Sequence, residues 1–323
     1  MRALRYDRFG PPEVLRVVDV PEPVPHAGEV KVRVHAASLN PLDWKIRAGH
    51  LRWLPVFRRP PRTLGCDFAG EIVGVGAGAR SHYVGERVFG SLLPFGRDGA
   101  LAEYLVAGVD RLAAMPDDLG FDQAAALPVA AGTALQAVVD DAHLGAGQRL
   151  LITGAAGGVG HFAVQIAKHL GAHVVAVCSA ANADFVRGLG VDEIVDYARA
   201  DFTRRTDRFD VVFDAACASS FTAARAVLTA AGCYINTGGD AAAVVGTALG
   251  AFFARVSSRQ RAIAIVLASG SARWERLAAL TREGVLHAHI ERKITLEEVA
   301  DAQRAMATGH GRGKIVVRPS RSA

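Results

Sequence analysis

The sequence GAAGGVG at residues 154–160 decides how the middle of this 323-residue chain is interpreted. An apolar run at residues 150–153 precedes it, and an amphipathic segment at residues 159–170 follows it. The short apolar run predicts a buried strand, and the longer segment predicts a helix. Because glycine destabilises the interior of either element, the pattern G-x-x-G-x-x-G predicts a tight turn between the two.

A glycine turn at the start of a helix is suited to binding an anion. Backbone N–H groups point outward there, and the helix dipole favours negative charge. A Cβ at Gly157 or Gly158 would hold a phosphate away from those N–H groups. We therefore predict that the turn binds the pyrophosphate of a dinucleotide, with a purely structural turn as the alternative. The predicted contacts are Gly154, Ala156, Gly157, Gly158, Val159 and Gly160.

The end of the next predicted strand, residues 174–177, indicates which dinucleotide binds. NAD sites usually carry an Asp or Glu about 20 residues after the glycines, where it bonds the ribose hydroxyls. Ser179 and Asn182 follow the strand here, and the first acid is Asp184. A hydroxyl and an amide can donate to a 2′-phosphate that a carboxylate would repel, so we predict NADPH. Both residues can also serve as helix caps, and the two roles can coexist.

The bulk composition is that of a globular protein with two domains. The net charge of +5 is mild and the basic residues are scattered, so no nucleic-acid partner is expected. Four cysteines without a CxxC pair argue against a disulfide scaffold or a structural zinc. No apolar signal core and no run of about 18 apolar residues is found. We therefore expect no transmembrane segment and a cytoplasmic location.

The pattern of apolar residues divides the chain into two predicted domains of an α/β protein. Residues 1–117 read as β-rich, with strands such as 30–34 and 68–75 and many prolines. Residues 118–268 alternate helix and strand, which predicts a doubly wound parallel sheet. Residues 269–323 end in a closing strand that can complete the first domain. The predicted elements include helices at 132–141 and 220–230 and strands at 210–213, 233–236, 262–267 and 314–317.

Several motifs in order resemble the medium-chain dehydrogenase/reductase superfamily, in its zinc-free quinone oxidoreductase branch. Besides GAAGGVG, they are SLNPLD at 38–43, LGCDFAGE at 64–71, AALPVAAGTA at 125–134, LGVDEIVDY at 189–197 and GHGRGKIVV at 309–317. The resemblance spans the whole chain. It implies a GroES-like catalytic domain at 1–117 completed by 269–323, and a Rossmann domain at 118–268. It also implies a homodimer joined near residues 263–267.

The places that hold zinc in related alcohol dehydrogenases are occupied, by motif alignment, by Asn40, Cys66 and Val129. A catalytic zinc takes three protein ligands, and one thiol does not make such a site. No metal is therefore predicted. Without a Lewis acid, hydride from NADPH suits a quinone or an α,β-unsaturated carbonyl, which delocalises negative charge by itself. The predicted partner is a small hydrophobic carbonyl or quinone acceptor.

The candidate catalytic residues are Asn40, Asp43 and Lys45. Asn40 can donate its amide to a substrate oxygen or to the nicotinamide ribose, or it can simply form an Asn-Pro turn. Asp43 and Lys45 can form a polar edge of the cleft, or a structural ion pair. For the cofactor, the resemblance implies Thr133 near the nicotinamide and Tyr197 near the adenine or its phosphate.

Gly238 follows a strand, at the end where ligands gather in such sheets, and is predicted as a further cofactor contact. His161, just after the glycine turn, is expected on the helix surface. The apolar segment 241–254 can line the substrate pocket, a dimer edge or a membrane contact.

Two other functions remain open. One is an enone or alkenal reductase whose quinone activity is incidental. The other is a non-catalytic, NADPH-binding structural or regulatory protein, because the glycine turn reports binding and not turnover.

Overall fold

The computed structural model describes residues 1–52, 59–92, 98–237, 259–309 and 311–320. The chain forms two compact units, one of Met1–Gly132 with Ser269–Ala323 and the other of Thr133–Ala268. The strands are β1 (Arg2–Tyr6), β2 (Leu15–Asp19), β3 (Glu29–Ser38), β4 (Arg62–Thr63), β5 (Asp67–Val75), β6 (Arg87–Ser91), β7 (Tyr104–Gly108), β8 (Leu112–Ala114), β9 (Arg149–Thr153), β10 (His173–Cys178), β11 (Glu193–Asp196), β12 (Phe209–Asp214), β13 (Leu228–Asn236), β14 (Arg261–Ala264), β15 (Ile290–Ile294) and β16 (Lys314–Val317). The helices are α1 (Pro41–Ala48), α2 (Phe121–Ala126), α3 (Pro128–Leu135), α4 (Gly160–His169), α5 (Ala183–Gly188), α6 (Phe221–Ala224), α7 (Ser271–Arg282) and α8 (Val299–Met306).

The first unit is built mainly of antiparallel strands. A small sheet has the order β2-β1-β4, and a larger one has the order β15-β16-β3-β5-β6-β8, with β7 also paired to β3. β16 pairs with β3, so that Val316 lies opposite Ser38. The last strand of the chain is therefore part of the sheet that the first hundred residues build.

The alternating pattern of β3 explains how this sheet packs. Val30, Val32 and Val34 are each at most 1% exposed and belong to the core of the unit. Arg33 points to the other face and forms an ion pair with Glu71 of β5 at 2.7 Å. Apolar residues at every second position thus bury one face of the strand, as the sequence predicted.

The second unit is a parallel sheet with the order β11-β10-β9-β12-β13-β14. This is the predicted doubly wound arrangement, and the α/β fold class is confirmed. β10 lies on one side of β9 and β12 on the other, so the strand order reverses beside β9. In such sheets, ligands bind at the carboxyl ends of the strands at this reversal.

The helix predicted at 220–230 is shorter in the structure. α6 ends at Ala224, one 3-10 turn follows, and β13 begins at Leu228. Leu228 is buried and pairs with Phe209 of β12. Pairing with the neighbouring strand thus outweighs the helix propensity of the alanines.

Two other helices also differ from the prediction. The helix predicted at 132–141 begins earlier, as α3, and continues as a π-helix over Gln136–Asp141. The segment after Asn40, for which an Asn-Pro turn was one of two alternatives, is the start of α1. Pro41 is at its first position, where a missing N–H is tolerated and the fixed φ suits a helix.

One boundary between the two units differs from the boundary predicted from the sequence: it lies at 132/133 instead of 117/118. Residues 118–132, assigned to the cofactor domain from the sequence, belong to the first unit. Phe121 of α2 stacks on His35 of β3 with ring centroids 4.2 Å apart. Gln123 exchanges two hydrogen bonds with the backbone of Ala288. These contacts hold α2 on the β-rich unit. The second boundary, at 268/269, is the same in the structure and in the sequence prediction.

Candidate active site

The glycine turn connects β9 to α4, and two of its glycines are required by the backbone. Gly154 has φ of +63°, and its Cβ would lie 3.0 Å from that of Ala216. A Cβ on Gly160 would lie 2.1 Å from the carbonyl oxygen of Gly154. Gly157 N donates to the same oxygen at 2.9 Å. The structure thus places Gly154, Ala156, Gly157, Gly158, Val159 and Gly160 together in a turn at the carboxyl end of β9.

His161 is buried, and the expectation of a surface histidine is wrong. Its ring lies 3.9 Å from that of Phe162, and its Nδ1 is 2.9 Å from Gly157 O. The whole first turn of α4 is packed inside the unit, which leaves no exposed face at this position. His161 therefore supports the glycine turn from within.

Ser179, Asn182 and Tyr197 lie at the carboxyl ends of β10 and β11. Ser179 is half-buried directly after β10, and neither its side chain nor that of Asn182 caps the helical segment that follows. Tyr197 N donates to Cys178 O at 3.3 Å, while its side chain is 56% exposed. The polar side chains predicted to bind the cofactor thus share one edge with the glycine turn.

The two remaining cofactor candidates differ in what the structure shows. Thr133 is buried within α3, at the first position of the second unit. Gly238 lies outside the described residues, as does the apolar segment 241–254.

Asn40 belongs to a buried polar cluster in the first unit, which also contains Asp43, Cys66, Asp67 and Lys314. Lys314 Nζ donates to Asn40 Oδ1 at 2.7 Å and to the carbonyl of Leu39 at 2.9 Å. It also lies 4.0 Å from Asp67 Oδ2. Asn40 Nδ2 donates to that same oxygen at 2.9 Å. The ammonium and the carboxylate therefore fix both ends of the Asn40 amide.

Asp43 is 1% exposed and faces this cluster. Its Oδ2 accepts from Asn40 N at 2.7 Å, at the start of α1, and its Oδ1 accepts from Cys66 Sγ at 3.5 Å. Lys45 instead places its ammonium 5.8 Å from the centre of the Trp44 ring. No ion pair joins Asp43 to Lys45, so the structure separates the two residues that the sequence grouped.

Burial controls the ionisation of the cluster. It raises the pKa of Asp43 to about 7 and also raises the pKa of Asp67, which the Lys314 charge opposes. It lowers the pKa of Lys314 and raises that of the Cys66 thiol well above its ordinary value. A buried carboxylate is tolerated here because a cation and several hydrogen bonds satisfy it.

The three residues at the places that hold zinc in related alcohol dehydrogenases make other contacts here. Asn40 bonds Lys314, the Cys66 thiol is directed at Asp43, and Val129 donates its backbone N–H to Asp67 at 3.3 Å. In the part of the chain that the structure describes, no group of three His, Cys, Asp or Glu side chains is arranged to hold a metal. Lys314 carries the positive charge of this cluster.

Lys314 and Asp67 were not recognised as site residues from the sequence. Lys314 opens a short apolar strand, where a lysine usually extends into solvent. Asp67 is the first residue of β5, directly before its apolar residues, and a charge beside a buried strand was the available signal. The pairing of both β16 and β5 with β3 brings these two charges together.

Comparisons with known proteins agree with this architecture. Residues 26–117 match the family described as alcohol dehydrogenase GroES-like domain, and residues 189–317 match the one described as zinc-binding dehydrogenase. A chloroplast envelope quinone oxidoreductase homolog of Arabidopsis thaliana is 36% identical, covering 99% of this chain and 98% of its own. A mitochondrial NAD(P)H oxidoreductase of Mus musculus is 32% identical, with coverage of 98% and 89%.

One more relative and one solved structure are also similar to this chain. A 2-methylene-furan-3-one reductase of Solanum lycopersicum is 30% identical, covering 99% of this chain and 79% of its own. The solved quinone oxidoreductase from Coxiella burnetii superposes with a TM-score of 0.88, at 32% identity over 99% of each chain.

The chain belongs to the medium-chain dehydrogenase/reductase superfamily, with a GroES-like unit and a Rossmann unit. Within it, the protein is of the zinc-free quinone oxidoreductase type, a nicotinamide-dependent oxidoreductase. One matching family description mentions zinc, whereas Asn40 and Val129 occupy two of the ligand places here.

The predicted cytoplasmic location is wrong. Similar proteins are named as chloroplast envelope, chloroplastic and mitochondrial proteins. The prediction relied on a missing apolar signal core, which does not report organelle import because transit peptides are amphipathic and arginine-rich. Among the described helices, none has the length and apolar character needed to cross a bilayer.

Proposed function

We propose that this protein transfers hydride from NADPH to a small hydrophobic quinone or α,β-unsaturated carbonyl, without a catalytic zinc. The observation that carries the proposal is the contact between Lys314 and Asn40. By motif alignment, Asn40 stands at a place that holds a zinc ligand in related alcohol dehydrogenases, and the Lys314 ammonium fixes its amide. Alcohol deprotonation on a metal is thereby disfavoured, whereas acceptors that delocalise charge need only orientation and hydrogen bonds.

The cofactor, when bound, supplies the hydride, and the chain binds and orients the two reactants. The N–H groups of the glycine turn hold the pyrophosphate, and Ser179, Asn182 and Tyr197 hold the adenosine side. Thr133 and Gly238 are proposed for the nicotinamide side. The lack of an acid directly after β10 supports NADPH over NADH.

Asn40 is the favoured contact for the carbonyl oxygen of the acceptor. Its Oδ1 accepts from Lys314 and one N–H of its Nδ2 donates to Asp67, so the second N–H of Nδ2 is the group that can donate to the acceptor. Asp43 acts on Asn40 through the backbone N–H at the start of α1. Lys45 stays a candidate, and water supplies the proton that completes the reduction.

The names of the relatives support both members of this acceptor class, quinones and α,β-unsaturated carbonyls. Several are named quinone oxidoreductases, and one is named for an enone substrate. An enone or alkenal reductase with incidental quinone activity is the second candidate, favoured by that last relative.

A panel of benzoquinones, naphthoquinones, cyclic enones and 2-alkenals, each with NADPH and NADH, tests the proposal. We expect the highest kcat/KM for quinones or enones with NADPH, unchanged after dialysis against a chelator. A clear preference for alkenals supports the second candidate. Tight NADPH binding without turnover on any acceptor would instead identify a non-catalytic binding protein.

We also propose a homodimer joined through β14. Within the described part of the second unit, β14 is the edge strand of the parallel sheet, and an edge presents unpaired backbone groups. Light scattering coupled to size exclusion is expected to give twice the chain mass of 34.0 kDa, and a monomer at micromolar concentration contradicts the proposal.

A further inference from the structure

Asp214, the last residue of β12, is a fully buried carboxylate. Its Oδ1 accepts from Thr153 Oγ1 at 2.5 Å and from Ala218 N at 2.9 Å. Its Oδ2 accepts from Tyr234 OH at 2.8 Å and from Ser219 N at 2.9 Å. These donors are neutral and come from β9, β13 and the residues after β12. One carboxylate thus connects three segments at the carboxyl edge of the sheet.

The residues directly after β12, which we call the 215–219 loop, are held against the glycine turn. Ala216 N donates to Thr153 Oγ1 at 3.3 Å, and a Cβ at Gly154 would lie 3.0 Å from that of Ala216, a tight contact. Cys217 has φ of +52°, a left-handed conformation that a non-glycine residue keeps only when its surroundings impose it. The left-handed Cys217 and the hydrogen bond of Ala216 together hold the loop against the glycine turn.

The order of strands shows which half of a dinucleotide the 215–219 loop borders. A dinucleotide lies across the reversal of strand order, and the strand after the glycine turn ends at the adenosine ribose. That strand is β10, on one side of β9, whereas β12 lies on the other side. The nicotinamide half therefore extends over the carboxyl end of β12, where the 215–219 loop begins.

We propose that Asp214 is a positioning residue that holds the 215–219 loop in place beside the nicotinamide half of the bound cofactor. This inference rests on the proposed binding of NADPH at this edge. The carboxylate does not touch the cofactor. It acts through the N–H groups of Ala218 and Ser219 and through the hydroxyl of Thr153, which stands directly before the glycine turn.

Measuring how tightly each half of NADPH binds separates two possible roles of Asp214: positioning the loop beside the nicotinamide half, and general support of the fold. We would measure Kd for NADPH, for adenosine 2′,5′-bisphosphate and for reduced nicotinamide mononucleotide. Asp214→Asn directs an NH₂ group at N–H donors of the loop. We expect Kd to rise about tenfold for NADPH and for the mononucleotide. The Kd of the bisphosphate should rise by a clearly smaller factor, because its adenosine side lies at β10, which Asp214 does not hold.

Tyr234→Phe is the second variant. It removes the hydroxyl that contacts both Asp214 Oδ2 and Ser219 O, while the carboxylate and its N–H donors at Ala218 and Ser219 stay in place. It is expected to shift Kd in the same direction by a smaller factor. It also keeps the inference testable if Asp214→Asn does not fold.

Asp210→Asn is the matched control in the same strand. Asp210 accepts from Arg149 N at 2.9 Å, at the amino end of β12, away from the proposed cofactor edge. Its loss should lower thermal stability and leave all three Kd values unchanged.

Equal weakening of both cofactor halves by Asp214→Asn and Tyr234→Phe would overturn the inference, and so would unchanged Kd values. Either result leaves the proposed function standing, since the wild type still binds NADPH. A wild type that binds neither NADPH nor its fragments would instead refute the proposed function, and this inference with it.

Discussion

Nζ of Lys314 donates a hydrogen bond to Oδ1 of Asn40 at 2.7 Å. An ammonium can only donate, so the amide atom that faces it is the oxygen, and the amide nitrogen faces Asp67. The Asn40 side chain, which aligns with a zinc ligand of related alcohol dehydrogenases, thus has one orientation. That orientation depends on the charge of Lys314, which lies on β16, the last strand along the chain.

Replacing Lys314 with methionine should destabilise the first unit. Methionine fills a similar volume but leaves the Asp67 carboxylate buried without its cation, a loss that typically amounts to about 3 kcal/mol. Urea unfolding followed by circular dichroism measures the change. Lys293→Met is the control, because that half-exposed lysine pairs with Asp122 at the surface and should contribute less than about 1 kcal/mol. Equal effects of the two substitutions would contradict the prediction.

Asp43 should make stability depend on pH between about 4 and 7. Its pKa is 3.8 in an ordinary setting and about 7 in the folded protein, so folding takes up a proton within that window. The free energy of unfolding should therefore fall as pH rises through the window and level off above it. Asp43→Asn removes this contribution and should flatten the curve, as measured by urea unfolding at several pH values. If the plots of unfolding free energy against pH are parallel for wild type and Asp43→Asn, Asp43 does not titrate in this way.

Gly160→Ala should impair cofactor binding. The new Cβ would lie 2.1 Å from Gly154 O, so the turn must open and its N–H groups lose their alignment. We expect the Kd of NADPH to rise more than about tenfold in a fluorescence titration, with a lower Tm. Gly188→Ala is the control, because that glycine has open space around it at the end of α5. It should bind NADPH as the wild type does, with equal or slightly higher stability.

Ser179→Asp should reverse the cofactor preference. A carboxylate directly after β10 repels a 2′-phosphate and accepts hydrogen bonds from ribose hydroxyls. We expect the Kd ratio of NADPH to NADH to rise about tenfold or more, equivalent to ~1.4 kcal/mol. Ser179→Ala separates loss of the hydroxyl from gain of the charge and should change the ratio less. A wild type that binds NADH as tightly as NADPH would refute the proposed preference.

Local pattern was sufficient to predict the parts of the structure that depend on neighbours along the chain. The period of two in β3 and the strand-glycine-helix order around Gly154 each have a direct steric cause. Both were recognisable because every residue involved lies within one element or one turn. The alternation of these elements then predicted the parallel sheet.

Features that depend on pairing between distant segments were not predictable in this way. Leu228 is a strand residue because Phe209 lies opposite, although its neighbours favour a helix. Lys314 and Asp67 form a site because β16 and β5 both pair with β3. In the sequence, these charges look like an ordinary surface lysine and an isolated acid.

The pairing of β16 with β3 has a consequence for the order in which the chain can fold during synthesis. The second unit is one continuous segment and can form while the ribosome is still adding later residues. The first unit must wait for its closing strand, and until that strand arrives Asp67 has no lysine to compensate its charge. Completion of the GroES-like unit is therefore a late, long-range step, which relatively slow folding kinetics should accompany.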